Sequence, residues 1–553
     1  DTEQFIETFQ FLEDISEGAA LDDIREALTK ICTDSEQLEE MTQSWYSLQS
    51  NDLITPSIVS NIINYFLLCS LGKFDMLVGN PPWVDWKSLP SVHREKIKEA
   101  CVSKNLFSGD GRTGGINLNI CALLTTISIE NWLHKDGVAT VLMPQNLLFQ
   151  QSYEGFRNLK ISDNRTLYIQ EIVDWEKSGH PFKPVQQLFC TYILSERQQD
   201  YFEGIPSKCI KIKKGIKLTN SSLNINSENF SDYFDVENKI LGQTTPQRTA
   251  FTYAMSKEEL KDFQLISGKT DYLGREGVEY YPQELQLFSL VEKTELETVK
   301  LETYQSKRSK YSIPIRRPEI EIKYLRPLIK GINISRFHVS DSEYIAAFPY
   351  DKTSPKIPIN KTDLRKQSPL LFNYYKENRQ YLELQTGYSD SIIGSKSAEY
   401  YALARTGHYS HAPWYVIFRD NTKWVSAVVG EIDTAWGGKK LPAFQNHCVS
   451  ICERPDGKFI TEDEAHYISA ILNSHIVEDF ILSTSDKRTF KIRIPVDIPV
   501  FDIKNTTHKK LSNLSKRAHE VYKDTEKVEK IRDNIDKLYI CLLKEKKAEI
   551  DNH

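Results

Sequence analysis

No stretch constrains the fold more than residues 73–86. Phe74-Asp75-Met76-Leu77-Val78-Gly79 is a short, mostly apolar run, which predicts a buried strand of a parallel sheet. It ends at Asn80-Pro81-Pro82-Trp83. Two successive prolines lack the N–H a ladder needs and fix φ, so the strand stops there. The sequence then alternates. Residues 116–133 predict a helix with Gly137 as its C-cap. Val138–Met143 predicts a strand that again ends at a proline, residues 152–159 a helix, and Thr166–Val173 and Phe189–Leu194 two further strands. Strands alternating with helices are the grammar of a doubly wound α/β sheet. In such sheets ligands lie beyond the carboxyl ends of the strands, where the Asn-Pro-Pro-Trp and Met-Pro-Gln-Asn turns fall.

The residue types of the first turn suit one kind of chemistry. An exocyclic amine such as adenine N6 is a poor nucleophile because its lone pair is delocalised into the ring. Accepting both of its hydrogens favours a more tetrahedral nitrogen. Asn80 offers a side-chain carbonyl and Pro81 a backbone carbonyl, and Pro82 stiffens the turn that holds them. Trp83 supplies a flat face on which an extruded base stacks, and Trp86 a second apolar wall. A plain Pro-Pro turn after a strand is the alternative. The apolar strand, Gly79 and the aromatic fourth residue favour the base site.

Residues 73–86 resemble motif IV of the amino-group DNA methyltransferases, where Asn in first place and an aromatic in fourth point to adenine N6 rather than cytosine N4. Gly115–Leu133 and Gly137–Asn146 are similar to the helix and strand that follow that motif. Glu171–Trp175, with Phe182 and Val185, resembles the later strand and loop that wall the base pocket, Phe182 being the aromatic candidate to pack on the base. An ordinary core or surface role for Phe182 stays open. The second half resembles the target-recognition region of single-chain type IIG restriction–modification enzymes. The blocks are Tyr324–Gly331 with Ile334 and Arg336, Tyr344–Tyr350, Leu370–Leu384, Tyr401–Arg405, Trp414–Asp420, Ala470–His475 and Arg493–Pro499. Only the Asn-Pro-Pro-Trp block is specific.

The resemblance implies a Rossmann-like methyltransferase sheet joined to an α+β target-recognition domain and C-terminal helices. It also implies S-adenosylmethionine as cofactor, double-stranded DNA as partner, base flipping, no metal, and a cytoplasmic site-specific enzyme of a restriction–modification or phage-defence type. One part departs from the family pattern. The cofactor turn, of the Asp-Pro-x-x-Gly-x-Gly kind, should precede Asn80, yet residues 1–79 hold only Gly18, Gly72 and Gly79. The cofactor half is therefore expected in an upstream segment or a partner chain, and no cofactor-binding residue is assigned. Asp1 in place of Met fits a chain that begins inside a longer polypeptide. The alternative is a non-catalytic DNA-specificity subunit, or a degenerate methyltransferase that senses DNA in a defence complex.

Charge supports a DNA partner only once its distribution is known. The 553 residues carry a formal charge of −6. Residues 1–50 hold 13 acidic side chains against Arg25 and Lys30, a net of −11, so the remainder is +5. Lys307, Arg308, Lys310, Arg316, Arg317 and Arg326 fall in one basic stretch, Lys487, Arg488 and Lys491 in another. Such runs neutralise phosphates, although a solvated face explains either alone. Residues 433–446 predict a loop with Gly437 and Gly438 at its middle. Asp433, Trp436, Lys439, Lys440, Gln445 and Asn446 give it a character suited to base edges.

Five segments result: an acidic helical segment (1–70), a target-base domain (71–200), a connecting region (201–310), a recognition domain (311–504) and C-terminal helices (505–553). The nine scattered cysteines argue against a disulfide framework, and Cys448–Cys452 reads as a strand rather than half a zinc site. No apolar run reaches the ~18–20 residues of a membrane helix, and no secretion signal opens the chain. Glu319-Ile320-Glu321-Ile322-Lys323 superficially fits a nuclease Glu-x-Lys pattern but lacks a Pro-Asp partner at a sensible spacing.

Overall fold

The structure, a computed structural model, describes residues 2–14, 19–51, 55–70, 72–106, 119–150, 153–162, 165–179, 187–218, 225–245, 248–305, 313–385, 399–419, 421–484 and 493–551. These form a mixed α/β protein of two compact units. The first comprises residues 1–147, 152–199 and 209–236, the second residues 148–151, 200–208 and 237–553.

The first unit opens with four helices, α1 (Thr2–Asp14), α2 (Leu21–Leu28), α3 (Ser35–Ser50) and α4 (Pro56–Ser70). Phe5, Phe9, Leu12, Ile24, Leu28, Leu38, Trp45 and Val59 bury one shared core, with Phe9 edge-on to Trp45 at 5.4 Å. The acidic side chains are left on the outer faces. The sequence reading missed α3, whose buried positions are only Leu38, Thr42 and Trp45, too few to mark a stripe. Its start is nevertheless well signalled. Asp34 Oδ1 accepts from the backbone N–H groups of Glu36 and Gln37 at 3.0 and 2.9 Å, as an N-cap should.

Then follow β1 (Phe74–Gly79), α5 (Ser91–Ser103), α6 (Cys121–Trp132), β2 (Leu133–Pro144), α7 (Glu154–Arg157), β3 (Leu159–Ser162), β4 (Arg165–Lys177) and β5 (Phe189–Ser195). Within this unit the strand order is β1-β2-β5-β4, with β3 beside β4. β1 and β2 are parallel, Gly79 facing Val141. β5 runs antiparallel to both β2 and β4.

Two expectations are corrected here. β1 is not buried on both faces: Phe74, Met76 and Val78 are 45%, 66% and 72% exposed. It is the edge strand of the described sheet, hydrogen-bonded to β2 and touched by α6. Gly137 is not a helix C-cap, because β2 begins at Leu133, directly after α6. Gly137 sits where the β1–β2 register shifts, and a Cβ there would lie 2.9 Å from the Asp75 carbonyl oxygen. Close approach of two strands, rather than a left-handed turn, is what requires glycine.

The second unit holds two larger sheets and a helical layer. In one sheet, strands Glu319–Glu321, Thr298–Thr303, Leu287–Lys293, Tyr344–Ala347 and Leu325–Ile329 are successive antiparallel neighbours, and Ala443–Phe444 adds to Leu325–Ile329 in parallel. In the other, Tyr415–Arg419 lies between Ser426–Val429 and Cys448–Ile451. Helices Glu462–Leu472, His475–Thr484, Thr506–Glu520 and Thr525–Asp551 complete the unit. Leu511, Ile531, Ile535 and Leu542, on the last two of these helices, are buried in its main core. No helix among the described residues is long and apolar enough to cross a membrane.

Candidate active site

The Asn80–Trp83 turn stands at the carboxyl end of β1, and the β1–β2 register puts it level with the end of β2. Asn80 and Pro82 are exposed, while Pro81, Trp83 and Trp86 are half-buried. Trp83 is anchored: its indole N–H donates to the Leu142 carbonyl at 3.1 Å, and its ring lies 5.5 Å from that of Phe189, tilted by 36°. Phe189 opens β5 opposite Pro144. The N–H bond and the Phe189 ring hold the indole at the strand ends.

Trp86, expected as a second apolar wall, is tied into its own loop. Its N–H donates to the Arg94 carbonyl at 2.9 Å, and Arg94 in turn donates to the carbonyls of Leu89 and Lys87 at 2.6 and 2.8 Å. Trp86 therefore braces the loop it belongs to. Asp85 stabilises the same loop from the other side through a bridge to Asn119, whose backbone N–H donates to Tyr153 Oη at 2.9 Å.

Residues that the sequence reading did not single out complete this end of the sheet. Gln145, after the proline of β2, is buried; its Nε2 donates to Asp174 Oδ2 at 3.0 Å, and its backbone N–H to the Leu188 carbonyl at 2.9 Å. Asp174 is also buried and accepts from Glu176 N at 2.8 Å. Tyr192 Oη donates to the Pro144 carbonyl at 2.7 Å. Beside them Asn146 Oδ1 is buried without a hydrogen-bond partner, an acceptor left open for a donor. The signal was available in the Pro-Gln-Asn turn after an apolar strand and in Glu171–Trp175. The Gln145–Asp174 pair was hidden because 29 residues separate the partners.

Neither of the described thiols Cys101 and Cys121 is an activated nucleophile. Burial pushes the Cys121 thiol up to about 12 and the Cys101 thiol up to about 11, so both stay protonated near neutrality. Nor do the described residues before Asn80 fit S-adenosylmethionine. Gly72 and Gly79 are their only glycines, and neither has a positive φ.

Several candidates lie outside the described residues: Phe182, Lys307, Arg308, Lys310, Lys487, Arg488 and Lys491. The basic residues that are described, all in the second unit, have varied settings. Arg317 is exposed and paired with Glu302 at 2.7 Å, and Arg316 Nε donates to Asn378 Oδ1 at 3.2 Å. Arg326 is turned into a cleft, with Lys440 close enough for the two charges to repel. Lys439 is exposed. The 433–446 segment is not a plain loop: strands Ile432–Asp433 and Lys439–Lys440 pair around Gly437 and Gly438, whose φ values are 94° and 76°. Trp436 is 3% exposed and belongs to the core. It cannot read a base edge, because its ring fills the space under the hairpin.

Glu321 has a structural task. Its carboxylate accepts from Leu370 N, Leu371 N and Ser368 Oγ at 2.8, 3.1 and 3.0 Å, capping the helix Pro369–Glu377. Among the described residues one group has metal-ligand proximity, His475, Asp533 and Asp536. His475 already bonds Asp536 through Nδ1 at 2.8 Å and Glu529 through Nε2 at 2.6 Å, so it clamps two helices.

Residues 10–182 match the family model described as Eco57I restriction-modification methylase, and the resemblance read from residues 73–86 stands on that segment. No curated protein matches the chain. Among solved structures, it is similar to the type IIL restriction-modification enzyme MmeI in complex with DNA, at 10% identity, 84% of this chain, 53% of that chain and a TM-score of 0.47. It is also similar to a nuclease-deletion mutant of the type ISP restriction-modification enzyme LlaGI in complex with a DNA substrate mimic, at 9%, 93%, 43% and 0.38. A DrdV–DNA complex follows at 9%, 80%, 44% and 0.36. The chain spans about half the length of these structures or less.

Proposed function

We propose that this chain carries the target-base half and the DNA-recognition region of a site-specific DNA adenine-N6 methyltransferase of restriction–modification type. The observation that carries the reading is the turn itself. An exposed Asn80 and a stiff Pro81 carbonyl follow an apolar strand, beside an indole fixed by its N–H. In this reading Asn80 Oδ1 and the Pro81 carbonyl accept the two hydrogens of a flipped adenine's amine, and Trp83 supports the ring. S-adenosylmethionine would supply the methyl group. The described residues before Asn80 hold no Gly-rich turn for it, and we place its binding in an upstream segment or a partner. The order β1-β2-β5-β4 is then one half of a Rossmann-like doubly wound sheet, with β1 as the edge that the other half would meet. Double-stranded DNA is the expected substrate, with Arg316, Arg317, Arg326, Lys439, Lys440 and the two basic stretches toward its backbone.

A second reading is a DNA-binding module without catalysis, favoured by the lack of a cofactor turn among the described residues before Asn80. Calorimetric titration with S-adenosylmethionine, on the chain alone and with any co-purifying partner, separates the two. Binding and methylation of an adenine-containing duplex only with the partner support the enzyme. Duplex binding without cofactor binding in any preparation supports the module and removes the enzyme reading.

A further inference from the structure

Arg326, on strand Leu325–Ile329 of the second unit, has a guanidinium withdrawn from water without a counter-charge. One terminal nitrogen donates to the Ser410 carbonyl at 2.6 Å and the other faces His411 Nδ1 at 3.1 Å. Its plane packs on Phe348, 4.0 Å from the ring centroid. It makes no ion pair among the described residues. Burial lowers its pKa, and only the Tyr415 and Tyr280 phenols oppose that shift.

Arg326 lines a cleft that opens to solvent, with Phe348, Phe444 and Ser450 on its wall. Tyr415 lines it too and is 1% exposed; the Ala412 backbone N–H faces its hydroxyl oxygen, and no acceptor for its hydrogen is found among the described residues. Glu276 is the one carboxylate on the wall. It is ion-paired with Arg405, which also reaches Glu279 at 3.5 Å. A half-buried cation with spare donors, beside a phenol whose hydrogen has no acceptor, is completed by an anion. Water would satisfy the hydroxyl but would not offset the charge. The planar fork of arginine suits a tetrahedral oxyanion.

We propose that this cleft binds a single phosphate group, with Arg326 as its counter-charge and the Tyr415 hydroxyl as a further donor. The group is a phosphodiester of a nucleic acid strand or a free phosphate ion. In its phosphodiester form the inference rests on the proposed DNA contact of Arg326; it does not depend on methyl transfer.

The test titrates the full chain with sodium phosphate at constant ionic strength by calorimetry. Duplex DNA binding is followed by fluorescence anisotropy with and without phosphate. Saturable binding of one phosphate is expected, lost in Arg326→Gln and weakened about threefold to tenfold in Tyr415→Phe. The phenylalanine variant keeps the ring against Phe444 and serves if Arg326→Gln fails to fold. Competition between phosphate and DNA, or weaker DNA binding by Tyr415→Phe, assigns the site to a backbone phosphodiester. Phosphate binding without competition assigns it to the free ion. The proposal is overturned if folded variants bind phosphate as the unaltered chain does. It is equally overturned if phosphate does not saturate and Tyr415→Phe binds DNA unchanged.

Discussion

The Asn80 side chain is exposed and has no hydrogen bond among the described contacts, so its removal should leave stability untouched while stripping an acceptor from the turn. With the cofactor-binding partner present, Asn80→Ala is expected to slow methyl transfer by roughly 10²–10³-fold, as for a lost preorganised hydrogen bond. Single-turnover incorporation of labelled methyl groups measures it, with a melting curve as control. Full rate in Asn80→Ala would remove the turn from the chemistry. Asn473 is the opposite case. It is 1% exposed; Oδ1 accepts from Ser426 N at 3.0 Å, and Nδ2 donates to the Ser426 and Ser469 carbonyls at 2.9 and 3.1 Å. Asn473→Leu takes the side-chain acceptor from the buried Ser426 N–H, while the Ser426 and Ser469 carbonyls keep Phe337 N and Asn473 N, a cost of about 1–3 kcal/mol. A shift of the urea midpoint would show it.

At the scale of elements, helices Glu462–Leu472 and Thr506–Glu520 meet through two neutral imidazoles. His466 and His519 lie edge to face at 4.8 Å, and His519 Nε2 accepts from Val428 N at 3.0 Å. Burial holds His519 down to about 4 and His466 down to about 3, against ~6.5 in an unfolded chain. Below pH ~6.5 the unfolded state therefore takes up protons that the folded state refuses. Stability rises with pH across this window and is lost as pH falls from ~6.5 toward 3–4. Urea midpoints between pH 7 and 4.5 should fall, and a chain with His466→Gln and His519→Gln should fall less steeply. Equal slopes would show that other groups carry the acid sensitivity.

For the whole molecule, the division into two compact units predicts two unfolding transitions in a calorimetric scan, since cooperative units follow shared cores. Asn473→Leu should lower one of them and leave the other in place. A single transition, shifted as a whole, would mean that the units unfold together.

Some of this architecture needed only the sequence. The strand that stops at Asn80, the turn after it, the strands around Val138–Met143 and Phe189–Leu194 and the C-terminal helices follow from local pattern. Apolar periodicity and proline's missing donor act over a few residues. Other features were decided by partners far along the chain. The bare face of β1, the glycine at a strand contact, the Gln145–Asp174 pair, the buried Trp436 and the uncompensated charge of Arg326 depend on which segments meet. Burial and hydrogen-bond satisfaction are set by that meeting, so a residue's type fixes what it can do and the tertiary structure fixes whether it faces water, core or ligand.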